Sequence, residues 1–220
     1  MRGSTRARRH VADGHRPTTN WVIVVPVKGT ADAKSRFGPV DRAALAEAIA
    51  LDTVEAVLAT AGVSEVIVVT SAGASAAFAE LGARVLVEVE PAGLTSAIAL
   101  GIETAVEVAA PHGGVAVLLG DLPALRPTEL AAALQSAGGV ELAMVPDADG
   151  TGTTLITAAA GAFHAPAFGP ESSALHRAAG YLPLQLPATS GLRTDVDTLA
   201  SLWALDGRLG RRTAAVLRAG

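Results

Sequence analysis

The sequence predicts an α/β fold, a single Rossmann-like domain on a mostly parallel central sheet, and three observations carry that prediction. Half the residues are apolar but only 3% are aromatic, with alanine, glycine and valine dominant, as small-residue helix packing on a sheet requires. The apolar runs are β-branched and continuous rather than alternating, the pattern of strands buried on both faces. These runs alternate with alanine-rich segments of helical character, the order of repeated βα units.

The elements follow in that order. Trp21 to Val27, a continuous apolar run, is the first strand, and Arg42 to Thr60 the first helix. Glu65 to Thr70 and Arg84 to Val87 are short apolar strands flanking a helix over Ala74 to Leu81. Leu94 to Ala109 is a helix entered through Gly93, and Val115 to Leu119 a strand that stops at Gly120 and Asp121. Pro127, favoured in a first helical turn, opens a helix to Ala137. Glu141 to Val145 and Thr154 to Thr157 are strands on either side of the polar turn DADGTG. Ser172 to Ala179 is a helix, Leu182 to Leu186 a strand, and Thr198 to Leu205 the last helix of the domain. The organisation expected is a disordered basic tail over residues 1–20, one catalytic domain over 21–206, and an extension over 207–220 whose Arg208, Arg211, Arg212 and Arg218 form a solvated helix face.

Charge and composition exclude several classes. The tail holds five arginines and one acid; without it, 12 basic and 20 acidic side chains give the remainder a net charge of −8. A body so acidic disfavours nucleic-acid binding, which depends on neutralising many phosphates. No apolar run is long enough for a membrane span. With no cysteine there is no disulfide or thiolate chemistry and no argument for an oxidising compartment, so a cytoplasmic location is expected. The five histidines show no paired spacing, which argues against zinc.

An open parallel sheet places ligands outside the carboxyl ends of its strands, so the polar residues just after each run matter most. Four junctions stand out. The chain's two lysines, Lys28 and Lys34, both follow the first strand, whereas arginine supplies all other cationic side chains. Two compact ammonium groups in one strand-to-helix loop suit phosphates or carboxylates. Neither GxGxxG nor GxxxxGK[ST] is present there. In VAVLLGDLPAL, Asp121 sits at the tip of a buried strand, placed to hold Mg²⁺ and too early to cap the helix at Pro127. In GLRTDVDT, Asp195 and Asp197 point to one face if extended; Asp195 is assigned to the metal and Asp197 to the cap of the following helix. Finally, DGTGTTLIT and FGPESSALHRA combine a polar turn with a serine-rich helix start, an anion site in which amides and hydroxyls meet, or an ordinary turn and cap.

The ordered set VPVKGTADAKSRF, GDLPAL, DGTGTTLI, FGPESSALHR and GLRTDVDT resembles the phosphoenolpyruvate or 2-phospho-L-lactate guanylyltransferases of deazaflavin coenzyme F(420) biosynthesis, over residues 21–206. The resemblance implies a nucleotidyltransferase domain of nucleotide-diphospho-sugar transferase (glycosyltransferase A) type. It implies transfer of GMP from GTP to phosphoenolpyruvate, with release of pyrophosphate and possible handover of the product to the next enzyme of the pathway. It implies that Asp121 and Asp195 hold Mg²⁺. Thr153, Gly169 and Ser172 would bind the acceptor, and Lys28, Lys34, Arg36, Gly93 and Thr95 the nucleotide, with Lys28 and the two aspartates catalytic. Asparagine is common in related chains where Thr95 stands, which bears on base preference. The alternatives are phospholactate as acceptor, another nucleotidyltransferase of the same fold, or a noncatalytic nucleotide sensor.

Overall fold

A computed structural model describes residues 20–27, 41–90, 92–109, 111, 113–196, 198–205 and 207–219. Seven strands form one sheet: β1 (Trp21–Pro26), β2 (Val63–Thr70), β3 (Arg84–Val87), β4 (Gly114–Leu118), β5 (Leu142–Pro146), β6 (Thr153–Ala158) and β7 (Leu182–Pro183). The helices are α1 (Arg42–Leu58), α2 (Ser75–Glu80), α3 (Leu94–Val108), α4 (Pro127–Ala137), α5 (Ser172–Ala178), α6 (Leu199–Trp203) and α7 (Arg211–Ala219), with 3₁₀ turns at Ala72–Ala74 and Gly191–Arg193.

The strand order is β3-β2-β1-β4-β6-β5-β7. All neighbouring pairs are parallel except those of β6, which runs antiparallel to both β4 and β5. The sequence reading expected a mostly parallel sheet of βα units; the departure from that repeat is β5 and β6, which form a hairpin. A continuous apolar run satisfies a doubly covered strand in either direction, so the run itself does not encode this reversal. β7 is two residues long rather than five; Leu184 donates one more bond, to the Met144 carbonyl (2.8 Å), and the chain then leaves the sheet.

Alternation along β1 divides the interior. Trp21, Ile23 and Val25 face α1, α2 and α4, packing against Val54, Val57, Phe78, Leu130 and Leu134. Val22 and Val24 face α3, with Ile67, Val69 and Ile98. At Gly101 a side chain would run into Val24, so glycine lets α3 lie directly on the sheet. A smaller cluster of Leu45, Ile49, Leu202 and Leu217 joins the outer face of α1 to α6 and α7.

α7 lies in the C-terminal extension, and its arginines are not simply solvated. Asp52 of α1, 6% exposed, accepts the Thr213 amide through Oδ2 (2.8 Å) and the Arg212 amide through Oδ1 (3.2 Å). A carboxylate from a distant helix thus caps the N-terminus of α7. Arg212 also reaches Glu55 at 2.7 Å, and Arg211 reaches it at 3.3 Å. Among the described residues no helix is long and apolar enough to cross a membrane.

Candidate active site

The reversed strand builds the site. Because β6 is antiparallel, its first residue, Thr153, lies at the same sheet edge as the carboxyl end of β4, where Leu119 donates to the Thr154 carbonyl (3.0 Å). A cleft of about 340 Å³ opens there, walled by Asp121, Asp147, Thr153, Gly169, Ser172 and Asp195. The structure therefore gathers five of the sequence-predicted residues and adds Asp147. Leu94 at the start of α3 also lines it; Gly93 and Thr95, its neighbours, are exposed beside that wall. Lys28, Lys34, Arg36 and Asp197 lie outside the described residues.

The Asp121 segment is held from α1. The buried Thr53 hydroxyl donates to the Ile49 carbonyl (2.9 Å) and accepts the Leu122 amide (3.1 Å), fixing the backbone immediately after Asp121. Val196 donates to the Asp121 carbonyl (3.2 Å), which draws the Asp195 segment alongside.

That second segment is fastened at four further points. Thr154 Oγ1 donates to the Leu192 carbonyl (2.6 Å), and both oxygens of Glu129 accept the Gly191 amide (3.2 Å each). Gly191 packs so closely on the Ala124 carbonyl that any side chain there would collide with it. Arg193 donates to the backbone carbonyls of Pro146 (3.2 Å), Asp147 (2.7 Å) and Ala148 (3.3 Å), clamping the β5–β6 turn to the segment that carries Asp195. The cap of α6 is Thr198, whose Oγ1 accepts the Ser201 amide (3.1 Å), and not Asp197 as the sequence suggested. Asp and Thr are both favoured N-cap residues and stand next to each other here, which is why the two assignments compete in sequence.

Asp147 closes its own turn by accepting the Gly152 amide through Oδ2 (2.7 Å). Its other oxygen, Oδ1, is buried without a hydrogen-bond partner among the described residues. Sequence reasoning read this stretch only as a polar turn and did not single out Asp147; the signal was its position at the end of β5. Asp121, Asp147, Glu171 and Asp195 give the cleft four carboxylates, and none of its described lining residues is a lysine or arginine. A phosphate-bearing ligand would meet strong repulsion there unless a cation accompanied it. The all-oxygen donor set and the unsatisfied Asp147 oxygen suit a hard divalent ion completing its shell with phosphate oxygens and water. Among the described residues no three acidic or histidine side chains converge as a metal cluster.

The hydroxyl wall is built by aromatic rings. Residues 162–168 have no regular structure, and the rings of His164, Tyr181 and His176 hold them. His164 Nε2 faces the Val115 carbonyl at 3.0 Å, so that nitrogen carries the proton and Nδ1 accepts the Tyr181 hydroxyl (3.0 Å). Tyr181 in turn accepts the Ala165 amide (2.9 Å). Burial pushes His164 down to about 4, the Val115 carbonyl opposing this and His176 adding to it. His176 packs edge-on to Phe168 and Tyr181, with centroids 5.2 and 5.3 Å away.

The start of α5 departs from the expected anion site. Ser172 donates its amide to the Gly169 carbonyl (3.2 Å) and Ser173 to the Thr151 carbonyl (3.0 Å), so these amides are spent within the fold. Glu171 reaches this point in the left-handed region, φ 58°. An anion here would meet the Thr153 and Ser172 side chains in place of those two amides.

Comparison with known proteins agrees with this architecture. Residues 32–182 match the family model of the MobA-like NTP transferase domain. The chain is similar to a phosphoenolpyruvate guanylyltransferase of Streptomyces coelicolor, 48% identical, with 89% of this chain and 95% of that protein aligned. Its fold is similar to that of 4-diphosphocytidyl-2C-methyl-D-erythritol synthase, with a TM-score of 0.59 at 16% identity over 85% of this chain and 96% of that one. It is also similar to Rv0371c of Mycobacterium tuberculosis H37Rv solved in complex with manganese, with a TM-score of 0.52 at 20% identity over 85% and 97% of the two chains.

Proposed function

Because the chain belongs to the MobA-like NTP transferases and, among them, to the phosphoenolpyruvate guanylyltransferase family, we propose that it transfers GMP from GTP to phosphoenolpyruvate. The products are enolpyruvoyl-2-diphospho-5′-guanosine and pyrophosphate. The observation that carries this reading is the meeting, at one sheet edge, of Asp121 and Asp195 with the hydroxyl residues Thr153 and Ser172. Carboxylates for a metal and hydroxyls for an acceptor anion then face one another across a single cleft.

In the reaction an oxygen of the acceptor phosphate bonds to the α-phosphorus of GTP, and the α–β bridging bond breaks to release pyrophosphate. The acceptor oxygen is already anionic at neutral pH, so no general base is needed. Thr153 and Ser172 hold the acceptor from the β6–α5 wall. As the resemblance implies, Lys28, Lys34 and Arg36 would meet the triphosphate, with Gly93 and Thr95 serving the nucleoside. Asp121 and Asp195 would hold Mg²⁺, with Asp147 beside them. The bound ion would supply charge neutralisation at the phosphates and the leaving pyrophosphate. The chain's own contribution is placement: its pinned segments bring donor and acceptor into line, and the apolar walls at Leu94 and Phe168 limit water.

The test is pyrophosphate release with Mg²⁺ and GTP, comparing phosphoenolpyruvate with 2-phospho-L-lactate and using ATP as control. Turnover with GTP and phosphoenolpyruvate is expected; turnover with phospholactate alone would replace the acceptor, and silence with both from folded protein would sink the assignment. Asp121→Ala is expected to abolish release while sparing the fold, and near-normal activity would refute the metal role.

A further inference from the structure

We infer that His176 is a positioning residue that fixes the Thr153 hydroxyl as a hydrogen-bond donor to the anionic acceptor. This rests on the proposed binding of the acceptor at Thr153. His176 is fully buried and touches the cleft only through its partners. Its Nε2 lies 2.9 Å from the Ala167 nitrogen, and an amide can only donate, so Nε2 is unprotonated. In the neutral ring the proton is then on Nδ1, which lies 3.0 Å from Thr153 Oγ1. Burial lowers the His176 pKa, which favours the neutral ring, with a backbone hydrogen bond at Ser172 partly offsetting this.

The consequence falls on Thr153. Its oxygen accepts from His176, so its own proton is released from that contact and serves the next acceptor available. Thr153 is 3% exposed and lines the cleft, where that next acceptor is a phosphate or carboxylate oxygen of the substrate. The tautomer is set by the Ala167 amide, in the segment leading to Gly169. One ring therefore couples the conformation of the 167–169 backbone to the direction of the hydroxyl. Ser172 precedes His176 by one helical turn, so both stand on the face of α5 turned to Thr153.

The experiment compares two variants that lose the ring but keep one half of its bonding each. His176→Asn keeps a donor at the Nδ1 position; His176→Gln keeps an acceptor near the Nε2 position. The Gln variant is expected to raise the acceptor KM about tenfold, the worth of one hydrogen bond to a charged group, with the GTP KM unchanged. The Asn variant is expected to stay within about twofold of the native protein. Equal effects of the two, or parallel rises in both KM values, would overturn the inference. Thr153→Val separates the layers: if it leaves the acceptor KM unchanged, the acceptor-binding role of Thr153 fails. If it raises that KM but the His176 variants do not, only the positioning role fails. In the native protein, which needs no variant to fold, ¹⁵N chemical shifts of the His176 ring are expected to report the Nδ1–H tautomer, and an Nε2–H tautomer would refute the argument.

Discussion

Acidification should weaken the fold through His164, and the size of the effect follows from its surroundings. The ring is 6% exposed, with both nitrogens committed, Nε2 to the Val115 carbonyl and Nδ1 to Tyr181. It therefore stays neutral in the folded chain until about pH 4, whereas an unfolded histidine takes its proton near 6.5. The unfolded state binds the extra proton first, so stability is at its full value above 6.5 and declines as pH falls from 6.5 toward 4. At pH 5 the loss is about 2 kcal/mol, approaching about 3 kcal/mol at the lower limit. For a domain of this size the former corresponds to a fall in Tm of roughly 4–8 °C. The assay is denaturant unfolding at pH 7.5 and 5.0 for the native chain and for His164→Gln, which cannot titrate. The native chain should lose about 2 kcal/mol more than the variant over that interval. Equal losses, or an NMR titration of His164 with a midpoint near its ordinary value, would refute the reasoning.

Three other perturbations have defined outcomes. Thr53→Val removes the acceptor for the Leu122 amide and should cost about 1–3 kcal/mol in chemical denaturation, with a fall in kcat because the backbone after Asp121 is freed. Gly191→Ala should destabilise by about 1–3 kcal/mol, because its Cβ meets the Ala124 carbonyl, and the displaced Asp195 segment should lower activity in pyrophosphate-release assays. Asp52→Ala should strip amide-exchange protection from α7 at a cost of about 1–3 kcal/mol, while β1 and β4 remain protected.

Much of the fold is legible because burial writes itself locally. The runs at Trp21–Pro26, Arg84–Val87 and Gly114–Leu118 and the Pro127 helix start lie within a residue of where apolar pattern and helix-start chemistry put them. Asp121 was findable because it directly terminates a buried run. What escaped depends on partners far along the chain. The direction of β6 is set by pairing with both β4 and β5. α7 begins after Gly210 with no capping side chain of its own, because Asp52 serves from α1. The hydrogen bond between His176 and Thr153 exists only once the hairpin has turned, and neither residue's neighbours announce the other.

The two walls of the cleft are braced by different parts of the molecule. Asp121 and Asp195 depend on Thr53, Glu129, Thr154 and Arg193, while the acceptor wall depends on the rings of His164, His176 and Tyr181. Such a division favours evolutionary modularity. On the proposed assignment of the walls, substitutions at the rings would retune which acid is accepted more than they alter the segments that carry Asp121 and Asp195. With those roles, one scaffold would diversify its acceptors while its nucleotide chemistry stays constant.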